Sequence, residues 1–448
     1  MSVAPNVLMI TCHDLGRSLH CYGLPTVRTP RLDAFAASGV RFTQAFCTAP
    51  QCSPSRASLF TGRYPHANGM MGLGHRDFAW DLHPAERHLG QVLHDAGYAT
   101  RLVGVHHESR HRDAAEVAAR CGMEMVSFEE RGEVITAQAI AHLTAFAQED
   151  RPFYLQVGYS EPHRTIARVR HEDDYMGFIG DYLAPDDAHD VTVPPYLRDT
   201  PGTRRELAEL QGAVRYVDAA IGDLLDALHT QGREADTLVI FTTDHGVALP
   251  RAKCALYDPG LEVALMLRLP ARGWGGGRVL DALLSNVDVF PTILDALDLP
   301  VPAAVQGRSF RPLLDGEAYT PRQCVYGEIT YHDYYDPRRA IRTARHKLIV
   351  NFTAAPAFMD PSQSWRPRSD TTTPANPKLA YHPLMELYDL AADPWEQHDC
   401  ADDPAYATVR TDLLAQLGAW MRDTGDPLLH GAVTSPLHTR AVTALGGQ

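Results

Sequence analysis

The stretch richest in chemistry is Cys52-Ser53-Pro54-Ser55-Arg56-Ala57-Ser58-Leu59-Phe60-Thr61-Gly62. Ser53 suits an N-cap, Pro54 the first helical position and Gly62 the stop after a short helix. Cys52 would then sit in the positive field of a helix N-terminus, where a thiolate or a bound anion is stabilised. Arg56 lies one turn further in, within reach of an anion held there. Other reactive side chains fall where strands should end. His13 and Asp14 follow the apolar run Val7 to Ile10, His107 follows Ala99 to Val105, and His163 follows Pro152 to Tyr159. Asp244-His245-Gly246 follows Thr237 to Thr243, and a short loop links it to Lys253. Open α/β sheets collect their ligands at the carboxyl ends of their strands, so these groups are expected to meet. Each has a plainer alternative when read alone: a buried cysteine, solvated strand ends, a capped turn, a surface lysine.

Together the motifs resemble type I sulfatases, of the alkaline phosphatase superfamily. The family signature C-x-P-S-R, followed by L-x-T-G, is met by Cys52 to Arg56 and Leu59 to Gly62. The family's aspartate pair at the first strand is met in part: Asp14 matches its second member and His13 replaces the first. Of the G-K-x-H pattern, Gly104-Val105-His106-His107 keeps the histidine and loses the lysine. Ser160-Glu161-Pro162-His163-Arg164, Asp244-His245-Gly246 and Lys253 with Leu256-Tyr257 match further family stretches. So do Asp288 to Leu294 and Glu386 to Glu396. Within the family, Asn68-Gly69-Met70, the His163 segment and the Cys52 helix look most similar to sulfamidases, the N-sulfoglucosamine sulfohydrolases.

The resemblance implies that Cys52 is oxidised to formylglycine by a formylglycine-generating enzyme, and that the hydrated aldehyde attacks sulfur. It implies one divalent metal at Asp14, Asp244, His245 and residue 52, with His13 as a possible fifth ligand. Calcium is expected from the family and manganese is the alternative, because imidazoles suit transition metals better than hard calcium. Arg56 and Lys253 would stabilise charge on the sulfate, and His163 or His107 would protonate the leaving atom. The expected substrate is a small sulfated sugar, as a sulfate ester or sulfamate. An aryl sulfatase, a phosphatase or phosphonate monoesterase of the same superfamily, an unmodified thiol enzyme and a non-catalytic binder of sulfated ligands stay open.

The elements that must position these groups read as an alkaline-phosphatase-like α/β fold: a large mixed sheet flanked by helices, then a smaller C-terminal α+β part. The division is expected near a composition shift at 316–322, giving a catalytic domain over 1–318 and a subdomain with a short antiparallel sheet and helix over 319–448. Helices are expected over 29–36, 89–97, 204–230, 286–297 and 404–421. Strands are expected at 40–46, 324–330 and 340–350, and loops over 63–70, 165–203 and 353–379. At 448 residues the chain can bury a large core. Its net charge of −14 argues against nucleic acid and against threading a long polyanion. No apolar run reaches the roughly 20 residues of a membrane span, and no signal peptide is evident. The eight cysteines contain no C-x-x-C pair, so free thiols in a cytoplasmic protein are expected. Histidines at 66, 75, 83, 106 and 107 are expected to line a pocket of neutral donors and acceptors. A homo-oligomer is compatible with the sequence.

Overall fold

The computed structural model describes residues 4–75, 77–164, 177–178, 183–355, 369 and 381–446. Part of the expected loop at 165–203 and most of that at 353–379 lie outside them. The strands are β1 (Asn6–Cys12), β2 (Val40–Phe42), β3 (Ala45–Phe46), β4 (Ala99–Gly104), β5 (Met125–Ser127), β6 (Phe153–Tyr159) and β7 (Thr237–Thr243). They continue with β8 (Leu265–Arg268), β9 (Arg278–Leu280), β10 (Leu284–Ser285), β11 (Cys324–Tyr331), β12 (Tyr335–Thr343), β13 (His346–Asn351) and β14 (Met385–Asp389). The helices are α1 (Pro30–Ser38), α2 (Cys52–Thr61), α3 (Pro65–Asn68), α4 (Leu89–Asp95), α5 (Ala114–Cys121), α6 (Gly132–Phe146) and α7 (Pro201–Thr230). They end with α8 (Asp258–Leu261), α9 (Val289–Ala296), α10 (Arg311–Asp315), α11 (Ala407–Asp423) and α12 (Pro436–Ala444).

Eight strands form one mixed sheet in the order β5-β4-β6-β1-β7-β8-β2-β9. β1 is buried along its whole length, as its continuous apolar sequence requires of a central parallel strand. Its residues alternate between two cores. Val7 and Met9 face the side closed by α4, α5 and α9, while Leu8 and Ile10 face α1, α6 and α7. The register aligns Cys12 with Tyr159 of β6 and Thr243 of β7, and Gly104 with Gly158. Three strand ends therefore discharge side by side: His13-Asp14, Ser160 to His163, and Asp244-His245. β4 adds His107 from the neighbouring position.

The second sheet is antiparallel, β11-β12-β13-β14, and packs on α11 through Leu413, Leu417, Trp420 and Met421. Buried ions tie it to the large sheet. Lys347 Nζ lies 2.6 Å from Asp258 and 2.7 Å from Glu396, and Arg342 lies 3.1 Å from Asp258. Glu396 also accepts the Asp258 backbone N–H at 2.5 Å. On another part of the contact, His66 Nδ1 lies 2.5 Å from Glu328, while within the C-terminal part Arg339 makes a two-point pair with Asp426 beyond α11.

Several sequence expectations need correction. Ser53 is not the N-cap: α2 starts at Cys52, its N-cap is Gln51, and the Ser53 hydroxyl instead accepts the Gly74 N–H at 3.1 Å. Residues 40–46 are two strands in different sheets, because β3 leaves β2 to pair with β10. The 63–70 stretch contains the short helix α3, started by Pro65 and stopped by Gly69 at φ 94°. Residues 340–350 are the end of one strand and most of the next, since Arg342 pairs with Lys347 across a turn. The eight cysteines are unpaired. Among the described residues no helix is long and apolar enough to cross a membrane.

Candidate active site

α2 is buried over all ten residues, which brings the positive end of its field into the protein interior rather than into water. Gly62 ends it in the left-handed conformation at φ 68°. Ser55 donates its hydroxyl to the Asp244 carbonyl, and Asn286 donates to Ser55 O at 3.0 Å. The helix is thus fastened to the end of β7, and Cys52 faces the ends of β1 and β7. One ligand atom each from His13, Asp14, Cys52, Asp244 and His245 lies within 4.8 Å of all the others, and all five residues are buried.

Inside this cluster Asp14 is the hub. Its φ of 51° is a left-handed conformation that aspartate tolerates better than most residues. Its backbone N–H donates to Asp244 Oδ1 at 3.0 Å. Lys253 Nζ donates to both carboxylate oxygens, at 3.0 and 2.8 Å. His13 Nδ1 lies 2.9 Å from Asp14 Oδ1 and 3.3 Å from Asp244 Oδ2. Burial opposes ionisation of Asp14, but Lys253, His163, His13 and His245 outweigh it and hold the carboxyl well below its usual range. The same balance carries His13 up to about 9 and His245 up to about 10, with Asp244 the leading favourable charge for each. Burial likewise opposes a thiolate at Cys52, yet Lys253 and His13 pull that thiol well below its ordinary value.

This donor set suits a divalent cation. Two buried carboxylates and two imidazoles converge on one point, and His245 Nε2 makes no acceptable hydrogen bond although Asp14 Oδ1 is 3.1 Å away. His245 Nδ1 meanwhile donates to the Gly246 carbonyl at 2.9 Å, so Nε2 is the atom that would lose its proton and ligate a bound cation.

The two remaining histidines are both part-exposed and differ in their partners. His163 is about one-third exposed, so it stands at the mouth, with its ring 4.5 Å from that of His13. Its Nδ1 donates to the Arg164 carbonyl at 2.6 Å, leaving Nε2 to face Lys253 Nζ at 3.3 Å. His107 Nδ1 is 3.1 Å from His13 Nε2, and burial pushes His107 down to about 3, so it is neutral. Arg56 is buried: Nε donates to Asp244 Oδ2 at 3.1 Å and Nη1 to Thr11 Oγ1 at 3.2 Å, while Nη2 has no hydrogen-bond partner among the described residues.

All nine residues singled out from the sequence for chemistry thus lie in or beside one cluster. The wider histidine pocket does not form. His75 joins His107, with ring centroids 5.5 Å apart. His66 instead pairs with Glu328 and packs on Tyr64 and Trp420, because α3 turns it toward the second sheet. His83 is exposed, and His106 turns back to Glu108 at 3.5 Å and to Phe128. Sequence reading missed Glu108, Gln156 and Asn286. Glu108 accepts the His107 N–H at 3.0 Å and Gln156 Nε2 at 3.2 Å, and lies 3.8 Å from Arg56 Nη1. The available signal was Gln156 itself, an amide in the middle of an otherwise apolar strand.

Comparison with known proteins agrees with this geometry. The sulfatase family profile matches residues 5–299, and a profile described as N-sulphoglucosamine sulphohydrolase, C-terminal, matches residues 251–360. Human N-sulphoglucosamine sulphohydrolase is 30% identical over 471 aligned residues, covering 94% of this chain and 91% of its own. Human arylsulfatase A is 28% identical, covering 90% of this chain and 85% of its own. A solved structure described as bound to its substrate D-glucosamine-2-N,6-O-disulfate superposes with TM-score 0.69 at 20% identity, covering 94% of this chain and 98% of the other. The phosphonate monoester hydrolase of Silicibacter pomeroyi superposes with TM-score 0.69 at 22% identity, covering 94% and 96%. The two solved structures bear on the fold alone.

Proposed function

The chain belongs to the sulfatase family, and from that premise we propose that it is a sulfatase that hydrolyses the S–N bond of the sulfamate in an N-sulfated glucosamine. The observation that carries the reading is the placement of Cys52: a side chain at the positive end of a buried helix, within 4.8 Å of two carboxylates and two imidazoles. The sugar class is supported by the match of residues 251–360 to the sulphoglucosamine profile and by the human relative.

In this reading residue 52 carries formylglycine, whose hydrated aldehyde supplies an oxygen nucleophile and a leaving route for the bound sulfate. Asp14, Asp244, His245, residue 52 and His13 would hold one divalent cation, calcium or manganese. When bound it supplies Lewis-acid polarisation of a sulfate oxygen and a fixed template for attack. The protein's own residues do the rest. Arg56, with Nη2 uncommitted, and Lys253, between Asp14 and His163, present positive charge to a sulfate seated at the end of α2. Such fixed, desolvated cations stabilise charge building on the equatorial oxygens. His163 is the proton donor to the leaving nitrogen. Its Nδ1 is committed to Arg164 and its Nε2, at the part-exposed mouth, is the exchangeable atom, whereas desolvation keeps His107 neutral. Neutral His107 holds the ring of His13 in place.

The test is sulfate release from N-sulfoglucosamine, glucosamine 6-sulfate and an aryl sulfate, with an aryl phosphonate monoester alongside. Mass spectrometry of residue 52 and elemental analysis accompany it on the same preparation. We expect N-sulfoglucosamine to lead in kcat/KM, with one equivalent of divalent metal and loss of the thiol. Faster turnover of the 6-sulfate or aryl sulfate refutes the sulfamate preference, and faster phosphonate turnover refutes the sulfatase reading.

A further inference from the structure

A carboxylate buried behind an anion site is a liability, because its charge repels the substrate. Glu108 is such a group: fully buried, one residue past His107, and 3.8 Å from Arg56. Its partners show how its charge is used. One oxygen accepts the His107 N–H at 3.0 Å and lies 3.5 Å from His106 Nδ1. The other accepts Gln156 Nε2 at 3.2 Å and faces Arg56 Nη1. Gln156 is itself held from behind, since Tyr154 donates its hydroxyl to Gln156 Oε1 at 3.0 Å. Tyr154 and Gln156 lie two apart on β6 and so point to the same face of the sheet.

This polar column, Tyr154 to Gln156 to Glu108, crosses a region otherwise packed with Leu102, Tyr98 and Cys121. Burying an amide, a phenol and a carboxylate there costs stability compared with apolar side chains of the same volume. Filling space does not account for it, whereas fixing the two groups at its upper end does. Arg56 has Asp244 on one side and Glu108 on the other, so its guanidinium plane is set by two carboxylates and its free Nη2 is aimed by them. The His107 backbone is pinned by the same carboxylate.

We propose that Glu108, braced by Gln156 and Tyr154, is the positioning residue that orients Arg56 and the His107 segment for binding the sulfate group. The inference rests on the sulfatase reading, in which that anion is the reacting group.

The experiment is a double-mutant cycle of Glu108→Gln against Arg56→Lys, read in two ways: kcat and KM on the preferred sulfated substrate, and binding of inorganic sulfate by calorimetry. Glu108→Gln alone should lower kcat/KM by about 10- to 100-fold, mainly by raising KM, the range for losing a charge-assisted contact. In the Arg56→Lys background the same change should cost less than about 3-fold, because the group it orients is already gone. Sulfate affinity should follow the same non-additive pattern. Should Glu108→Gln fail to fold, Gln156→Met, which removes the brace at similar volume, runs the same cycle. Equal losses in both backgrounds, or none in either, overturn the proposal. A wild-type enzyme that binds sulfate but hydrolyses no sulfated substrate would sink the functional reading, and the calorimetric cycle would still decide the role of Glu108.

Discussion

His88 offers a prediction whose sign and size follow from one hydrogen bond. It is the N-cap of α4, and its Nδ1 accepts the Gly90 N–H at 3.1 Å, while Gln91 returns a bond to the His88 N–H at 2.9 Å. A ring nitrogen that accepts cannot carry a proton, and the ring is buried against Phe60 at 5.0 Å. Burial is the main cause that holds His88 down to about 4, against an ordinary 6.5. A depressed histidine contributes stability that is fully present above the unfolded value and lost as pH falls toward the folded one. The loss should therefore run from about pH 6.5 down to about pH 4. The full gap is worth about 3 kcal/mol, of which about 2 kcal/mol should disappear between pH 7.5 and pH 5. His88→Asn keeps an N-cap oxygen and removes the titration. Urea unfolding of both proteins from pH 7.5 to pH 5, at constant free metal, should show wild type losing about 2 kcal/mol more than the variant. A difference between the two that does not change with pH would refute the claim that Nδ1 is the accepting atom. The consequence reaches the site, because α4 leads into β4 and β4 ends at the His107 segment.

Two further predictions test how the site is held. Lys347→Met leaves Asp258 and Glu396 facing each other without the ammonium that now lies 2.6 and 2.7 Å from them. Denaturant unfolding should show a loss of about 3–5 kcal/mol near neutral pH, shrinking as the carboxylates protonate toward pH 5; a loss under about 1 kcal/mol would contradict the buried-clamp reading. In Gly246→Ala the new Cβ would sit 1.8 Å from Pro259 O and 2.8 Å from Gly260 Cα, both backbone atoms. The α8 segment must then move away from His245, so melting should fall by the equivalent of about 1–3 kcal/mol and activity should fall with it. An unchanged melting temperature would mean the two segments are not in firm contact.

Much of this site was legible because its residues sit at strand ends, and strand ends are among the easiest features to find in a sequence. Val7 to Ile10, Phe153 to Tyr159 and Thr237 to Thr243 are apolar runs closed by polar groups, and parallel pairing brings their ends together. What was not legible depended on contacts between distant segments. Ser53 looks like an N-cap in isolation, yet the chain entering from Gln51 is already extended, and Gly74 claims the serine hydroxyl. His66 looks like pocket lining until α3 aims it at Glu328 on a strand more than two hundred residues later. The β8 to β10 segments are two to four residues long, too short to carry a period. α12 follows a sequence with no buried face at all. Glu108 was passed over because its partners, Arg56 and Gln156, come from α2 and β6.

The central place of β1 also sets a timetable. Its neighbours are β6 and β7, so Asn6 finds its partner at Thr237. Strand pairing over such a separation is slow and cannot begin until the later strand exists. Until β7 has been synthesised, α2 lacks its bonds from Ser55 and Arg56 to Asp244, and the Cys52 end is not yet closed in. In the finished fold Cys52 is 3% exposed and every residue of α2 is buried. If residue 52 is the target of a modifying enzyme, that burial requires the enzyme to act on the growing or unfolded chain, and synthesis that outruns it would deliver folded protein sealed around an unmodified thiol.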